Sequence, residues 1–282
     1  MMAVPLHHSS VDYTGLAATA WELFSTDEAG PDDAVFRAIV AQFGEPALDI
    51  GCGSGRLLLP MLGDGVDIEG VEPSADMLSL CRERAATRGL QPVLHQQLLQ
   101  TLDLPRRYRT MFVSCGTLHL VVDRAEVVDA LRRLHDHLLP GGAVVLTAFA
   151  PWVYIRAQAP FGQDWHPRAT RSLPDGTELV KEGLLLSVNK TEQTAEYAVR
   201  YRRLRGETVV EEQICQTPLR WYFKHELTMM LEQAGLQVTS VTGNYTDEPV
   251  TDEHDVAVWV AIRRPDGEGS SAASLWVPLP TR

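Results

Sequence analysis

The sequence predicts an α/β protein built on a doubly wound parallel sheet. Short apolar runs alternate with helix-forming segments from residue 47 to residue 149, which is the order of elements in repeated β-α-β units. A glycine-rich turn joins the first apolar run to the helix after it, and 45% of the 282 residues are hydrophobic, enough for a full core. Parallel sheets of this kind bind ligands at the carboxyl ends of their strands.

The predicted elements up to residue 149 alternate between helix and strand. Two helices come first, over residues 16–24 and 32–43, and the turn residues Gly30 and Pro31 open the second. The five parallel strands are predicted over residues 47–50, 67–71, 92–97, 110–114 and 143–149. The helices between them are predicted over residues 56–62, 75–88 and 125–139, the middle one capped by Ser74 and stopped by Gly89.

The pattern changes after Ala150. Residues 151–175 carry prolines and aromatic residues without periodicity. Alternating or β-branched runs follow at residues 178–180, 184–190, 194–204 and 209–216, joined by short turns, which is typical of an antiparallel meander. A helix over residues 223–234 and two strands, over residues 236–241 and 255–262, complete the prediction.

Composition limits the classes of function. The formal net charge is −12 and only three lysines are present, so no nucleic-acid partner is expected and a small-molecule acceptor is favoured. No apolar run reaches the roughly 20 residues of a membrane span, and the first 25 residues lack the pattern of a secretory signal. The four cysteines lie far apart with no C-x-x-C pair, which favours a reducing, cytoplasmic location.

The most informative segment is the turn after the first strand. Its glycines, Gly51, Gly53 and Gly55, let the backbone approach a ligand, and the helix that follows points free N–H groups into the same space. A dinucleotide-binding turn has the spacing G-x-G-x-x-G, but here the spacing is G-x-G-x-G and Arg56 stands in place of the third glycine. Glu72 ends the second strand, where a carboxylate can reach a ribose diol.

Leu-Asp-Ile stands before the glycines, and Val-Glu-Pro-Ser-Ala-Asp-Met stands at the end of the second strand. With these flanks, residues 47–78 resemble motif I and the acidic motif of class I S-adenosylmethionine (SAM) methyltransferases. The resemblance is in particular to bacterial small-molecule methyltransferases. The resemblance implies a seven-stranded Rossmann-like sheet whose last two strands form an antiparallel edge. It implies SAM as cofactor and S-adenosylhomocysteine as product. It also implies in-line SN2 transfer of a methyl group to oxygen or nitrogen of a small-molecule acceptor.

The same resemblance suggests how the chain is divided. Residues 1–45 are expected to form an N-terminal helical cap, and residues 46–150 the SAM-binding core. Residues 151–222 stand where small-molecule members of the family insert a lid or substrate platform after the fifth strand, and residues 223–263 return to the core sheet. The tail, residues 264–282, is expected to be disordered because it is rich in Gly and Ser.

Ten positions are carried over from the family as cofactor-binding residues. Asp49 and the glycines match motif I and border the methionyl part, Glu72 accepts from the ribose, and Met77 packs either against adenine or in the core. The usual acidic partner of the adenine amino group is missing, so Gln97 or the backbone of Leu98 would replace it. The full set is Tyr13, Asp49, Gly51, Gly53, Gly55, Glu72, Met77, Gln97, Leu98 and Ser114.

Three residues are expected around the reacting atoms. Ser114 ends the fourth strand and should lie beside the sulfonium, while Tyr13 either closes the site from the N-terminal segment or is an ordinary surface aromatic. His119 is the candidate general base for an acceptor hydroxyl or ammonium, with a structural histidine as the alternative. No metal site is expected, because the end of the fourth strand lacks carboxylates.

The insertion is expected to supply the acceptor pocket, because it concentrates aromatic residues in a region short of helices. Aromatic residues suit an acceptor that is planar, apolar or an amine, whereas Arg156 and Arg168 could hold a carboxylate. The candidate substrate residues are Trp152, Tyr154, Arg156, Trp165, His166, Trp221 and Tyr222.

Other classes of function stay open at this point. A non-catalytic SAM-binding protein, or an enzyme that uses SAM for a reaction other than methyl transfer, would keep the glycines and Glu72. An NAD-dependent oxidoreductase is the weaker alternative, because Arg56 occupies the third-glycine position. A homo-oligomer is compatible with the sequence.

Overall fold

The strands and helices lie in residues 13–24 and 30–265, the part of the chain that the computed structural model describes. The strands are β1 (Ala47–Ile50), β2 (Ile68–Val71), β3 (Val93–His95), β4 (Tyr108–Val113), β5 (Leu138–Phe149), β6 (His166–Ser172), β7 (Glu178–Asn189), β8 (Thr194–Arg205), β9 (Thr208–Arg220), β10 (Leu236–Gly243) and β11 (Val256–Arg263). The helices are α1 (Gly15–Phe24), α2 (Pro31–Phe43), α3 (Leu58–Gly63), α4 (Ala75–Thr87), α5 (Arg124–His137), α6 (Trp152–Arg156) and α7 (Lys224–Gln233).

The larger sheet has seven strands in the order β10-β11-β5-β4-β1-β2-β3. Strands β1 to β5 pair in parallel, whereas β11 is antiparallel to both β5 and β10. The predicted seven-stranded Rossmann-like sheet with an antiparallel edge is therefore confirmed. Because β1 lies between β2 and β4, the turn after β1 opens where the strand order reverses, which is the usual ligand site of such sheets.

Helices cover both faces of this sheet because its central strands are apolar on both sides. Leu48 and Ile50 of β1 belong to a core cluster with Leu131 of α5 and Leu227 of α7. The opposite face packs against α2 and α3. Each fully buried large apolar side chain stabilises the fold by roughly 1.5–3 kcal/mol, so the strand ends are held on a rigid base.

The segment after β5 forms a second, antiparallel sheet in the order β6-β7-β8-β9. The predicted antiparallel insertion is therefore confirmed, with two differences in detail. The runs predicted at 178–180 and 184–190 are one strand, β7, which continues through Gly183. Strand β6 lies in the stretch without periodicity, because an edge strand that is exposed on both faces needs no alternation of apolar residues.

The boundary between α5 and β5 also differs from the prediction. Helix α5 ends at His137, and β5 begins at Leu138 instead of residue 143. The segment Pro140-Gly141-Gly142, with φ +77° at Gly141, lies in a register shift between β4 and β5, which a helix stop signal in the sequence does not reveal.

The N-terminal segment joins the two sheets. The Ser74 hydroxyl, at the start of α4, donates to the Tyr13 carbonyl at 2.6 Å. On the other side, Gln213 of β9 donates to the Thr14 carbonyl at 3.0 Å and accepts from the Ala17 N–H at 3.2 Å. Helix α1 is thus held between the core sheet and the insertion.

No helix in the described ranges combines the length and the apolar character needed to cross a membrane. Residues 1–12 of the predicted cap and residues 266–282 of the predicted tail lie outside the described residues.

Candidate active site

A cavity opens at the carboxyl ends of β1, β2 and β4. Its empty volume, including space that is open to solvent, is about 970 Å³. Nine of the ten predicted cofactor residues line it: Tyr13, Asp49, Gly51, Gly53, Glu72, Met77, Gln97, Leu98 and Ser114. Gly55 does not line it. An added Cβ at Gly55 would lie 2.7 Å from Leu59 Cγ, so this glycine allows α3 to pack closely.

The turn after β1 is tied to the end of β2. The N–H groups of Gly51 and Cys52 both donate to the Val71 carbonyl, at 2.8 and 3.0 Å. Gly51 has φ +76°, and an added Cβ would lie 2.5 Å from Thr117 Oγ1. Any side chain here would be strained and would clash with the loop after β4, so glycine keeps this side of the cavity open.

Glu72 lies in the cavity wall at the tip of β2 and is 6% exposed. Its Oε2 accepts from the Gly53 N–H at 3.1 Å, and its Oε1 accepts from the Ser74 N–H at 3.0 Å. These bonds hold the carboxylate between the glycine turn and the start of α4. A carboxylate offers about four acceptor sites, so one held in this way can also accept from a diol.

Asp49 is the most deeply buried acid of the cavity wall. It is 2% exposed, and its Oδ1 has no hydrogen-bond partner within the described part of the chain. Burial raises the pKa of this carboxyl to about 7, the Arg56 guanidinium opposes the increase, and Glu72 and Asp32 add to it. A buried polar atom without a partner destabilises the fold, so this oxygen can gain by accepting a hydrogen bond or by contacting a cation in the cavity.

The loop after β3 forms the wall where an adenine ring is expected. The Gln97 side-chain amide pairs with the backbone of Asp103: its Nε2 donates to the carbonyl at 3.0 Å and its Oε1 accepts from the N–H at 2.8 Å. This pairing favours the Leu98 backbone over the Gln97 side chain as the partner of an adenine amino group. Met77 lines the cavity and also packs against Gly53, so it belongs to the cavity wall and to the core.

Tyr13 and Trp21 close the cavity on its N-terminal side, with ring centroids 5.0 Å apart. Burial raises the pKa of Tyr13 to about 12, and Glu72 adds to the increase, so the phenol stays neutral and can donate a hydrogen bond. Trp21 is a wall residue that the sequence did not identify, because only the packing of α1 against α4 brings it to the cavity.

Ser114 and Cys115 form the wall at the end of β4. Cys115 is exposed and has φ +52°, which is uncommon for a residue other than glycine. The Arg56 Nη2 lies 3.4 Å from Cys115 Sγ, and the same guanidinium forms an ion pair with the buried Asp32 of α2. Arg56 is therefore a wall residue that braces α2 against the site.

His119 does not line the cavity. It is 4% exposed, its Nε2 accepts from the Phe149 N–H at 3.0 Å, and its ring also bonds the Arg220 backbone. Burial lowers the pKa of His119 to about 4, so the imidazole is neutral at physiological pH. A neutral imidazole has a single acceptor nitrogen, and here the Phe149 N–H occupies it, so His119 has no lone pair to offer an acceptor. Its position outside the cavity wall favours the structural alternative over the general base.

None of the seven predicted substrate residues lines this cavity. Tyr154 and Trp221 stack on each other, with centroids 5.2 Å apart and an interplanar angle of 8°. Tyr222 is buried in the main core cluster. Trp152 and Tyr222 also line a second, mostly apolar cavity beside Phe149. These four aromatic residues lie together near the end of β5, next to the cofactor cavity but outside its wall.

The remaining three substrate candidates, Trp165, His166 and Arg156, also lie away from this cavity. The Arg200 guanidinium lies 4.5 Å from the Trp165 ring centroid. Arg200 and Tyr201 are neighbours in β8 and point to opposite faces, and Tyr201 packs with α1, so Trp165 lies on the face away from α1. His166 and Arg156 are exposed. Their positions do not support the expectation that these three residues form the acceptor pocket.

The sequence also did not identify the wall formed by Thr117, Leu120 and Val121. These residues occupy or follow a short 3-10 helix, Thr117–Leu120, which has no periodic signal. Their one available signal is their position just after the fourth strand. The described residues contain no group of three or more His, Cys, Asp or Glu side chains that could hold a metal ion.

The strand order, the glycine turn and the acid at the tip of β2 define a doubly wound α/β protein with a site for a nucleoside-containing ligand. Residues 47–142 match the family described as a methyltransferase domain. Over 208 residues the chain is 24% identical to the cypemycin N-terminal methyltransferase of a Streptomyces species, a match that spans 74% of this chain and 79% of that protein.

Two further similarities agree with this match. The chain is 30% identical over 147 residues to the dTDP-3-amino-3,6-dideoxy-alpha-D-glucopyranose N,N-dimethyltransferase of Streptomyces fradiae, covering 50% of this chain and 55% of that protein. Its fold resembles that of the CcbJ methyltransferase from Streptomyces caelestis, with a TM-score of 0.71 and 24% identity over 91% of this chain and 100% of that one. Residues 47–142 therefore form a methyltransferase domain, whose cofactor is S-adenosylmethionine.

The cavity residues fit this cofactor. The unpartnered Oδ1 of Asp49 is a buried acceptor of the kind that a cationic group such as the methionyl ammonium needs. The space beside Gly51 is open only because this residue has no Cβ.

Proposed function

We propose that the chain transfers a methyl group from SAM to a nitrogen of a small-molecule acceptor. The observation that carries this proposal is the state of His119, the candidate base, which is buried, neutral and already accepts a hydrogen bond from the Phe149 N–H. An acceptor hydroxyl must lose its proton as it is methylated, and a base normally assists this. An amine that arrives neutral attacks through its own lone pair and needs only to be positioned.

The similarity to other proteins supports nitrogen as the acceptor atom. Of the two sequence relatives described above, one is named an N,N-dimethyltransferase of an amino sugar and the other an N-terminal methyltransferase. An aromatic-rich insertion beside the site also suits an enclosed pocket for a small acceptor.

The proposal assigns roles to residues of the cavity wall. Bound SAM supplies an electrophilic methyl group on its sulfonium. Glu72 accepts hydrogen bonds from the ribose hydroxyls, Asp49 faces the ammonium group, and the Leu98 backbone contacts the adenine. Tyr13 and Trp21 exclude water from the N-terminal side.

The division of the chain is part of the same proposal. The core over residues 46–150 holds the cofactor, and the insertion over residues 151–222 holds the acceptor. The N-terminal cap links the two, because Gln213 of the insertion bonds the segment that carries Tyr13.

The test is methyl transfer to matched pairs of acceptors that differ only in having an amine or a hydroxyl, one pair without and one with an acidic group, such as tyramine with tyrosol and glucosamine 6-phosphate with glucose 6-phosphate. Release of S-adenosylhomocysteine is measured between pH 6 and pH 10. We expect turnover with amines alone, rising with pH as the amine loses its proton. Turnover with the hydroxyl partners alone would show that the acceptor atom is oxygen and that a base has been missed.

A further inference from the structure

Two cations of the insertion lie on one face of its sheet. We call this the inner face, the face that carries Lys181, Tyr201 and Gln213. Lys181 lies directly opposite Tyr201, and Tyr201 lies opposite Gln213, so the three side chains share a face. Because Gln213 bonds the Thr14 carbonyl at 3.0 Å, the inner face looks toward α1 and the core sheet.

The second cation is Arg168 of β6. Gly183 lies two residues after Lys181 in β7, so its missing side chain would also point to the inner face. An added Cβ at Gly183 would lie 2.8 Å from Arg168 Nε and 3.5 Å from its Nη2. The guanidinium therefore occupies the room that this glycine leaves. Burial lowers the pKa of Lys181, and the proximity of Arg168 lowers it further.

Two phenols stand beside the Arg168 guanidinium. Burial raises the pKa of Tyr154 to about 12, and the positive charge of Arg168 opposes the increase. Burial also raises the pKa of Tyr197, again with Arg168 opposing it. Both hydroxyls stay neutral at physiological pH, so they are available as hydrogen-bond donors next to the two cations.

The outer face of the same sheet is different, because its cations are neutralised. The buried Glu182 forms ion pairs with Arg200 at 2.8 Å and with Arg202 at 2.9 Å. For Arg168 and Lys181, no carboxylate of residues 13–24 or 30–265 comes within the 4.0 Å of an ion pair. In a chain of net charge −12, two neighbouring cations that lack acidic partners repel each other, and an anion between them would remove that repulsion.

We propose that Arg168 and Lys181 hold an oxyanion of the acceptor, a phosphate or a carboxylate, with Tyr154 and Tyr197 as additional donors. The planar guanidinium can bind two oxygens of such a group, and the ammonium adds a compact charge. The inference rests on the proposed function, because the bound molecule is the methyl acceptor. It adds that the acceptor carries an acidic group apart from its amine.

Calorimetric titration of the full chain, saturated with S-adenosylhomocysteine, tests this. Sodium pyrophosphate and sodium succinate serve as the phosphate and carboxylate probes. We expect one of them to bind the wild type, and its affinity to fall at least tenfold in Arg168→Gln and in Lys181→Met. Matched controls are Arg205→Gln and Lys190→Met, exposed cations elsewhere on the insertion, which should bind as the wild type does.

The affinity for S-adenosylhomocysteine is measured in the same variants and should not change, which shows that they are folded. Binding of neither probe by the wild type would overturn the inference, as would unchanged probe binding in both inner-face variants. Failure of the proposed function is a different result, absence of transfer to amines, so the two proposals can fail separately.

Discussion

Asp49→Asn removes a buried charge while leaving the shape of the cavity wall almost unchanged. Burial raises the pKa of this carboxyl from 3.8 to about 7, so the native state keeps a proton that the unfolded chain has already released. Between these two pKa values the unfolding equilibrium is linked to proton loss. The free energy of unfolding of the wild type therefore falls as the pH rises from about 4 to 7 and is level above about 8. Asparagine does not titrate, so the variant lacks this fall.

The size of the effect follows from the two pKa values. At about 1.4 kcal/mol for each pKa unit, the carboxyl of Asp49 costs the wild type about 2–3 kcal/mol between pH 5 and pH 8. Between pH 5 and pH 8 the free energy of unfolding of the variant should therefore rise by about 2–3 kcal/mol relative to that of the wild type. At every pH the free energy of unfolding of the variant is also lowered by a constant of about 1–3 kcal/mol, because the new amide is a buried donor without a partner.

Urea unfolding of the cofactor-free chain at several pH values measures this difference. Asp129→Asn, an exposed carboxylate on α5, is the control and should follow the wild type. Parallel pH curves for the wild type and Asp49→Asn would refute the reasoning, because they would mean that the carboxyl is ionised in both states. The variant should also bind S-adenosylhomocysteine about 10–100-fold more weakly, since a charge-assisted bond contributes about 1.5–3 kcal/mol.

Three other substitutions test the remaining parts of the site. Glu72→Gln should weaken binding of S-adenosylhomocysteine about 10–100-fold in calorimetry, whereas Glu83→Gln, on the exposed side of α4, should leave it unchanged. Equal affinities of the wild type and Glu72→Gln would show that Glu72 does not bind the cofactor. His119→Gln should keep turnover within about threefold, and a loss of about 100-fold or more would restore the role of general base. The free energy of unfolding of His119→Gln should fall less than that of the wild type as the pH drops below about 6.5. The pKa of His119 is lowered to about 4 in the native state, so the wild type loses stability over this range and glutamine does not titrate. Gln213→Ala removes two hydrogen bonds to the N-terminal segment and should weaken cofactor binding about tenfold. The control Gln216→Ala, on the other face of β9, should bind as the wild type does. Identical affinities of the two variants would show that the N-terminal segment does not close the site.

The cofactor end of the site was accessible from the sequence because it depends on strand order alone. In a parallel sheet each strand ends at the same edge, so the glycines after β1, Glu72 after β2 and Ser114 after β4 meet in one cavity wherever the exact registers fall. Gly55 is the exception among the glycines, because it faces the helix behind the turn and not the cavity.

The acceptor side depends on which way individual side chains point, and only the tertiary structure decides this. His119 lies near the end of β4, as the sequence indicates. However, its Nε2 accepts a hydrogen bond from the Phe149 N–H, and burial keeps the imidazole neutral. Trp165 lies on the outer face because its ring packs against Arg200, whose side chain the alternation of β8 turns to that face. A shift of one residue turns a strand side chain to the opposite face, and no local pattern in a polar edge strand records such a shift. The sequence alone therefore determined the sheet and the cofactor, whereas packing between the two sheets determined which side chains face the acceptor.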